Sequence, residues 1–255
     1  MTAPDRPTPA RLADQRALLF DLDGVLTPTA DVHMRAWSRL FTPYLAAHGV
    51  APYTEQDYFA YVDGKPRYDG VRSLLGSRGI VLPEGTPDDD PALDTVCGLG
   101  NRKNAEFTAE LAEHGVQPYP GSSRFLDAAI DAGYDVAVVS SSANAEQVLR
   151  TAGILDRFPV IVDGRVARAD GLAGKPAPDT YLDAASRFGL TAAECVVVED
   201  ATSGVEAGRN GAFGLVVGVD RGAGADALRA HGADVVVTDL ADLVDDLRSV
   251  PTTTT

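Results

Sequence analysis

Between positions 20 and 29 the chain reads FDLDGVLTPT, two aspartates one residue apart at the end of the apolar run Ala17-Leu18-Leu19-Phe20. A strand turns its side chains to alternate faces, so Asp21 and Asp23 project to the same side of its end. Two carboxylates about 5 Å apart repel by roughly 3 kcal/mol at an effective dielectric near 20, and such a pair calls for a positive group. Asp-Gly by itself is also a common turn. Three further polar clusters give the pair its meaning: Ser140-Ser141-Ser142 after DVAVV, Lys175 in the turn Gly174-Lys175-Pro176, and Glu199-Asp200 after CVVV. Taken singly, each has a second meaning: the serines cap the next helix, the lysine sits exposed in a turn, and the acids favour a helix N-terminus. Taken together at strand ends they mark a ligand site, because an open parallel sheet binds ligands beyond its strand C-termini.

The chemistry that this set suits is phosphoryl transfer. Asp21 is the nucleophile. Asp21, the backbone carbonyl of Asp23, and Asp200 hold Mg²⁺, with Glu199 in or just behind the coordination sphere, since hard oxygen donors favour that ion. Ser140 and Lys175 neutralise and orient the transferring phosphoryl oxygens, and Asp23 moves the proton of the leaving or entering hydroxyl.

Positioning these groups requires buried strands that alternate with helices. Apolar runs of strand length fall at 17–20, 135–139, 195–198, 215–219 and 234–237, and helical spacing fills 122–132, 143–152, 178–188, 203–210 and 223–230. The pattern predicts an α/β fold, a doubly wound parallel sheet with helices on both faces. Residues 30–114 break the rhythm, with helical spacing at 32–48, 68–77 and 93–113 and an acidic turn-rich stretch, PEGTPDDDP, read as a solvated loop. They predict an α-helical insertion into a core of 15–29 and 115–250, with hinges at Thr27-Pro28-Thr29 and 117–121. Residues 1–14 and 251–255 read as loose tails.

The 255 residues carry a net charge of −15 and a sequence pI near 4.5. That field repels nucleic acid and anionic lipid, which excludes both as partners, and it forces any phosphorylated ligand to find local cations or a metal. Cys97 and Cys195, far apart, read as reduced structural thiols. With neither a signal peptide nor an apolar run of membrane-spanning length, the expected setting is cytoplasmic.

The motifs DLDGVLT, the serine after VAVV, GKPAPD and VVEDATSG, in this order, resemble the haloacid dehalogenase superfamily over about residues 15–220. The stretch DLDGVLTPTADVHMRAW is similar to the β-phosphoglucomutase-like branch, whose Thr, His and Trp fall at Thr29, His33 and Trp37. The resemblance implies that residues 30–114 are a helical cap. In it Arg67 of Gly64-Lys65-Pro66-Arg67 meets the distal phosphate of a sugar bisphosphate, and Lys103 and Asn104 face the substrate. Ser142 and Asn144 extend the serine-rich loop against it. Thr29 and His33 hold Asp23 until a sugar hydroxyl arrives.

Two positions depart from that branch: Pro28 replaces an acidic hinge residue, and Ala143 stands where some members carry a lysine. The implied activity is Mg²⁺-dependent interconversion of β-D-glucose 1-phosphate and glucose 6-phosphate by a monomer or weak oligomer acting on a small phosphorylated sugar. A sugar-phosphate phosphatase on the same residues is the alternative, and a non-catalytic sugar-phosphate-binding protein a remote one.

Overall fold

The computed structural model describes residues 11–247; the C-terminal tail expected at 251–255 and residues 1–10 of the N-terminal one lie outside them. Residues 11–14, expected to be loose, instead form a 3-10 turn at Leu12–Asp14. Leu12 is buried in the core and its carbonyl accepts from the Tyr134 hydroxyl at 3.2 Å, so apolar burial holds this segment down.

Six parallel strands form one sheet in the order β3-β2-β1-β4-β5-β6: β1 Ala17–Phe20, β2 Asp135–Val139, β3 Val160–Val162, β4 Cys195–Glu199, β5 Leu215–Val219 and β6 Val235–Val237. Every residue of β1, β4 and β5 is buried. Alternation divides their side chains between two cores: Leu18, Phe20, Val196 and Val198 enter one, Ala17, Leu19, Cys195 and Val197 the other. A continuous apolar strand is thus a strand with a core on each face. The edge strand β3 was not expected from the sequence, because its three residues follow Pro159 and are too few to show a period.

The covering helices are α5 Pro120–Asp131, α6 Ala145–Thr151, α7 Gly164–Asp170, α8 Asp179–Arg187, α9 Thr202–Asn210 and α10 Ala225–His231. Asp163 starts α7 by accepting from the backbone N–H groups of Arg165 and Val166 at 2.9 and 3.0 Å, a cap that the sequence reading had passed over.

Between β1 and α5 lie α1 Thr29–Ala47, a short α2 Glu55–Asp57 that runs on as a π-turn to Val62, α3 Arg67–Ser77 and α4 Val96–His114. They enclose a third cluster that includes Trp37, Phe41, Leu74 and Leu99. Spacing predicted the last helix from Leu93, but the Thr95 hydroxyl accepts from Gly98 N–H at 2.9 Å and fixes the start at Val96. Asp89 of the DDD run in turn takes the Thr95 hydroxyl at 2.6 Å, so that loop is exposed yet tied. Cys97 and Cys195 are buried free thiols. Among the described residues no helix is long and apolar enough to cross a membrane.

Candidate active site

Beyond the C-terminal ends of β1, β2 and β4 the core meets the helices of residues 29–114 around a cavity of about 560 Å³. The Ser141 hydroxyl donates to the Gly64 carbonyl at 2.7 Å, the Ser203 hydroxyl to the Asp63 carbonyl at 3.2 Å, and the Asn144 amide to Asn104 Oδ1 at 2.7 Å. These bonds hold the two units together over the site.

At the cavity floor Lys175 Nζ lies between Asp21 Oδ1 at 2.5 Å and Glu199 Oε1 at 2.6 Å and donates its third proton to the Val139 carbonyl at 3.1 Å. An ammonium has three donors, so all are used, and the lysine stays charged between two carboxylates. Glu199 is equally committed. Oε1 also accepts the buried Tyr181 hydroxyl at 3.0 Å, and Oε2 accepts backbone N–H from Asp200 and Ala201, both at 3.1 Å.

Asp21, Glu199 and Asp200 each bring a carboxylate oxygen to within 4.8 Å of the others, all three buried. Burial pushes the Asp200 carboxyl far up, and the charges that act most strongly on it, Asp63, Asp21, Glu199 and Asp23, are all acids. Burial also raises Asp21 strongly; Lys175 opposes this, while Glu199 and Asp23 add to it. A buried set of carboxylates with one lysine among them fits a hard divalent cation, which supplies the missing charge. Asp21 and Asp200 are the side chains with oxygen to offer, and Glu199, whose oxygens are filled, aligns Lys175 and the loop at 200–201. Gly24 serves the same point: at φ +87° a Cβ there would lie 1.8 Å from Asp200 Oδ2.

Asp23 stands apart from this cluster, toward the helices. Oδ1 accepts the Thr29 hydroxyl in a short bond and lies 3.4 Å from His33 Nε2; Oδ2 accepts the Ser140 hydroxyl at 3.4 Å. Burial works to raise its pKa, but the charge interaction and hydrogen bond with His33, the Thr29 hydroxyl and the charge of Lys103 outweigh it and bring Asp23 down to about 2. The hydroxyl of Ser140 is thus given to Asp23, and its oxygen accepts the Ser142 N–H at 3.1 Å. The Ser142 hydroxyl accepts from Asn144 N–H at 3.2 Å. The serines therefore shape their own loop and place no side-chain cap on α6.

Burial and the nearby Lys103 push the His33 pKa down, while Asp23 pulls it up. Its Nε2–H faces Asp23, and its Nδ1 accepts the short bond from Lys103 Nζ. The His33 ring stacks on Phe107 at 4.1 Å, and Lys103 Nζ lies over the Trp37 and Phe107 rings at 5.0 and 5.1 Å. Burial brings Lys103 down to about 7, against an attraction from Asp23. A lysine whose folded pKa lies below its unfolded value costs stability at pH 7, and that cost shrinks as pH rises from 7 toward 10.5. Lys103→Met is therefore expected to gain about 2 kcal/mol at pH 7, less than the full shift because His33 Nδ1 loses its donor. Urea melts at pH 7 and pH 9.5 check this: the stability advantage of the variant over the wild type is expected to shrink at the higher pH, the buried thiols affecting both proteins alike. A variant less stable than the wild type at pH 7 would contradict it.

Arg67 reaches the cavity from the first turn of α3. It donates to the Tyr68 hydroxyl at 3.2 Å and leaves its Nε buried without a partner. The sequence reading had passed over Tyr181, whose apolar setting on α8 hid its hydroxyl, and Asp63, which precedes the Gly64-Lys65-Pro66-Arg67 loop. Burial raises Asp63 to about 7 while the Tyr58 hydroxyl opposes. A carboxylate brought in by the helical unit thus joins the acidic end of the cavity, for which the sequence offered only an Asp-Gly turn as signal.

The model of the haloacid dehalogenase-like hydrolase family matches residues 15–211. A β-phosphoglucomutase of Mycobacterium bovis is 53% identical over 240 residues, 90% of this chain and 91% of that one. Hexitol phosphatase A of Escherichia coli is 32% identical, over 89% and 93% of the two chains. The crystal structure of a Clostridium difficile β-phosphoglucomutase superposes with a TM-score of 0.73 at 24% identity, covering 90% of this chain and 93% of that one. The fold and the family motifs agree with the sequence resemblance: this chain is an enzyme of the haloacid dehalogenase-like hydrolase family and belongs to its β-phosphoglucomutase-like branch.

Proposed function

We propose that the enzyme interconverts β-D-glucose 1-phosphate and glucose 6-phosphate through a phosphoryl group carried on Asp21, with Mg²⁺ as its metal and residues 30–114 as a closing cap. The reading rests on one observation: Asp21 joins the acidic cluster while Asp23, in the same cavity, is held ionised toward the cap. One carboxylate is placed to take phosphorus and the other to move a proton.

In the forward direction Asp23 removes the proton of the sugar 6-hydroxyl as that oxygen bonds to phosphorus and the Asp21–phosphorus bond breaks. The sugar bisphosphate turns over within the site. Asp21 then attacks the 1-phosphate, and the departing 1-oxygen takes back the proton from Asp23. Bound Mg²⁺ supplies the charge that lets two anions meet. Ser140 and Lys175 keep Asp23 and Asp21 in line, Thr29 and His33 hold Asp23 until a sugar hydroxyl displaces them, and Arg67, Lys103, Asn104, Ser142 and Asn144 line the sugar's path. The cap excludes water, which would otherwise consume the phosphoenzyme. Among the described residues the large exposed apolar side chains are Val81, Leu93, Ile130 and Leu182, too few for a broad apolar docking face, which supports a monomer or weak oligomer. Buried reduced thiols suit the cytoplasm.

Incubation with β-glucose 1-phosphate, Mg²⁺ and a trace of the bisphosphate is expected to yield glucose 6-phosphate, with little free phosphate. The similarity to a hexitol phosphatase favours a second reading, in which water takes the phosphoryl group. Rapid phosphate release without glucose 6-phosphate would establish that reading instead.

A further inference from the structure

In a chain of net charge −15, an arginine without a carboxylate partner stands out. Arg16, Arg39, Arg72, Arg78, Arg157 and others pair with acids. Of the described arginines that form no such pair, Arg67 and Arg168 both line the same cavity. They also share an aromatic ring: the guanidinium carbons of Arg67 and Arg168 lie 4.9 and 5.6 Å from the centroid of Tyr68. The Tyr68 hydroxyl is fixed by donation to Asn101 Oδ1 at 3.0 Å. Arg67 belongs to α3 of the cap, whereas Arg168 belongs to α7 of the core.

The local fold fixes where Arg168 can reach. A Cβ on Gly164 would lie 2.8 Å from the Ser141 carbonyl and 3.1 Å from Ala143 N, and Gly164 N–H donates to the Ser142 carbonyl at 3.1 Å. The first turn of α7 is thus seated directly on the serine loop. Residues four apart share a helix face, so Arg168 follows Gly164 along the wall that Ala143 also lines. Ala143 offers that wall only a methyl group. Arg168, exposed, is the core-side arginine that lines this cavity.

We infer that Arg168 is a specificity residue: with Arg67 it forms a two-arginine clamp, one arm from the cap and one from the core, braced on Tyr68 for the phosphate of the sugar that is not being transferred. The inference rests on the sugar-bisphosphate reading above. A distal phosphate held by both arms joins cap to core, so the clamp favours a ligand with two phosphates over one with a single phosphate at the Asp21 end. Arginine suits the task because its fork matches phosphate oxygens bidentately while its plane lies against the ring.

The test is calorimetric titration in Mg²⁺, on an Asp21→Asn background that cannot form the phosphoenzyme. Adding Arg168→Ala is expected to weaken glucose 1,6-bisphosphate about 10- to 100-fold and inorganic phosphate by less than about 2-fold. Adding Ala143→Lys to that variant returns a cation to the same wall and restores most of the bisphosphate affinity. Unchanged bisphosphate affinity overturns the clamp. So does an equal loss for both ligands, which would mark a general structural effect. If the wild type makes no glucose 6-phosphate yet the selective loss is seen, the clamp stands and the mutase reading falls.

Discussion

Asp21→Asn lowers turnover of β-glucose 1-phosphate by about 10⁴-fold or more, the scale seen when an enzymatic nucleophile is removed. An amide oxygen is a poor nucleophile toward phosphorus, and the substitution also withdraws one charged oxygen from the carboxylate cluster, where Asp21 stands with Glu199 and Asp200. The variant should keep its fold, because Asn fills the same volume and its carbonyl still accepts from Lys175, 2.5 Å away in the wild type. Incubation with a radiolabelled phosphoryl donor, quenched in acid, distinguishes the cases. The wild type carries label, the variant carries none, and peptide mapping finds the label on Asp21. Label retained by Asp21→Asn would place the phosphoryl group elsewhere and remove the foundation of the proposed mechanism.

Lys175→Met should be nearly as severe, and it acts on stability as well as on rate. The methionine fills the space but removes the cation that bridges Asp21 and Glu199 at 2.5 and 2.6 Å. Removing one partner of a buried ion pair leaves uncompensated charge and typically costs 3–5 kcal/mol, so a loss of about 3 kcal/mol is expected here. Added Mg²⁺ is expected to recover part of that loss, since a divalent cation at Asp21 and Asp200 answers the same excess of negative charge. Turnover falls by about 10³-fold, because Asp21, the proposed nucleophile, loses both its orientation and its neighbouring charge. Urea melts in EDTA and in Mg²⁺ supply the measurement. Equal stability of variant and wild type in EDTA would show that Lys175 does not neutralise this cluster.

Much of this site was legible before any coordinates. The α/β class follows from apolar runs that admit no polar face, and the structure shows why: neighbouring residues of β1 and β4 feed opposite cores. The helical interruption after Thr29 was visible as a change of period. The strand β3 and the helix α7 were not, since three apolar residues and a seven-residue segment rich in arginine carry no period to read. The resemblance named Thr29 and His33 beside Asp23, and both contact it, but spacing did not reveal its third partner, Ser140 of the loop after β2, 117 residues away in sequence.

The sequence alone determined which groups stand at the strand ends, because chemistry that needs a nucleophile, a proton carrier and a cation leaves its residue types at fixed places along the chain. Only the tertiary structure decided how they divide the work. Lys175 spends every donor on Asp21, Glu199 and the Val139 carbonyl, Glu199 has no oxygen to spare, and Asp63 and Arg168 enter from segments whose local sequence announces nothing. Hydrogen-bond capacity and burial are properties of the assembled cavity, and both depend on neighbours that one stretch of chain does not contain.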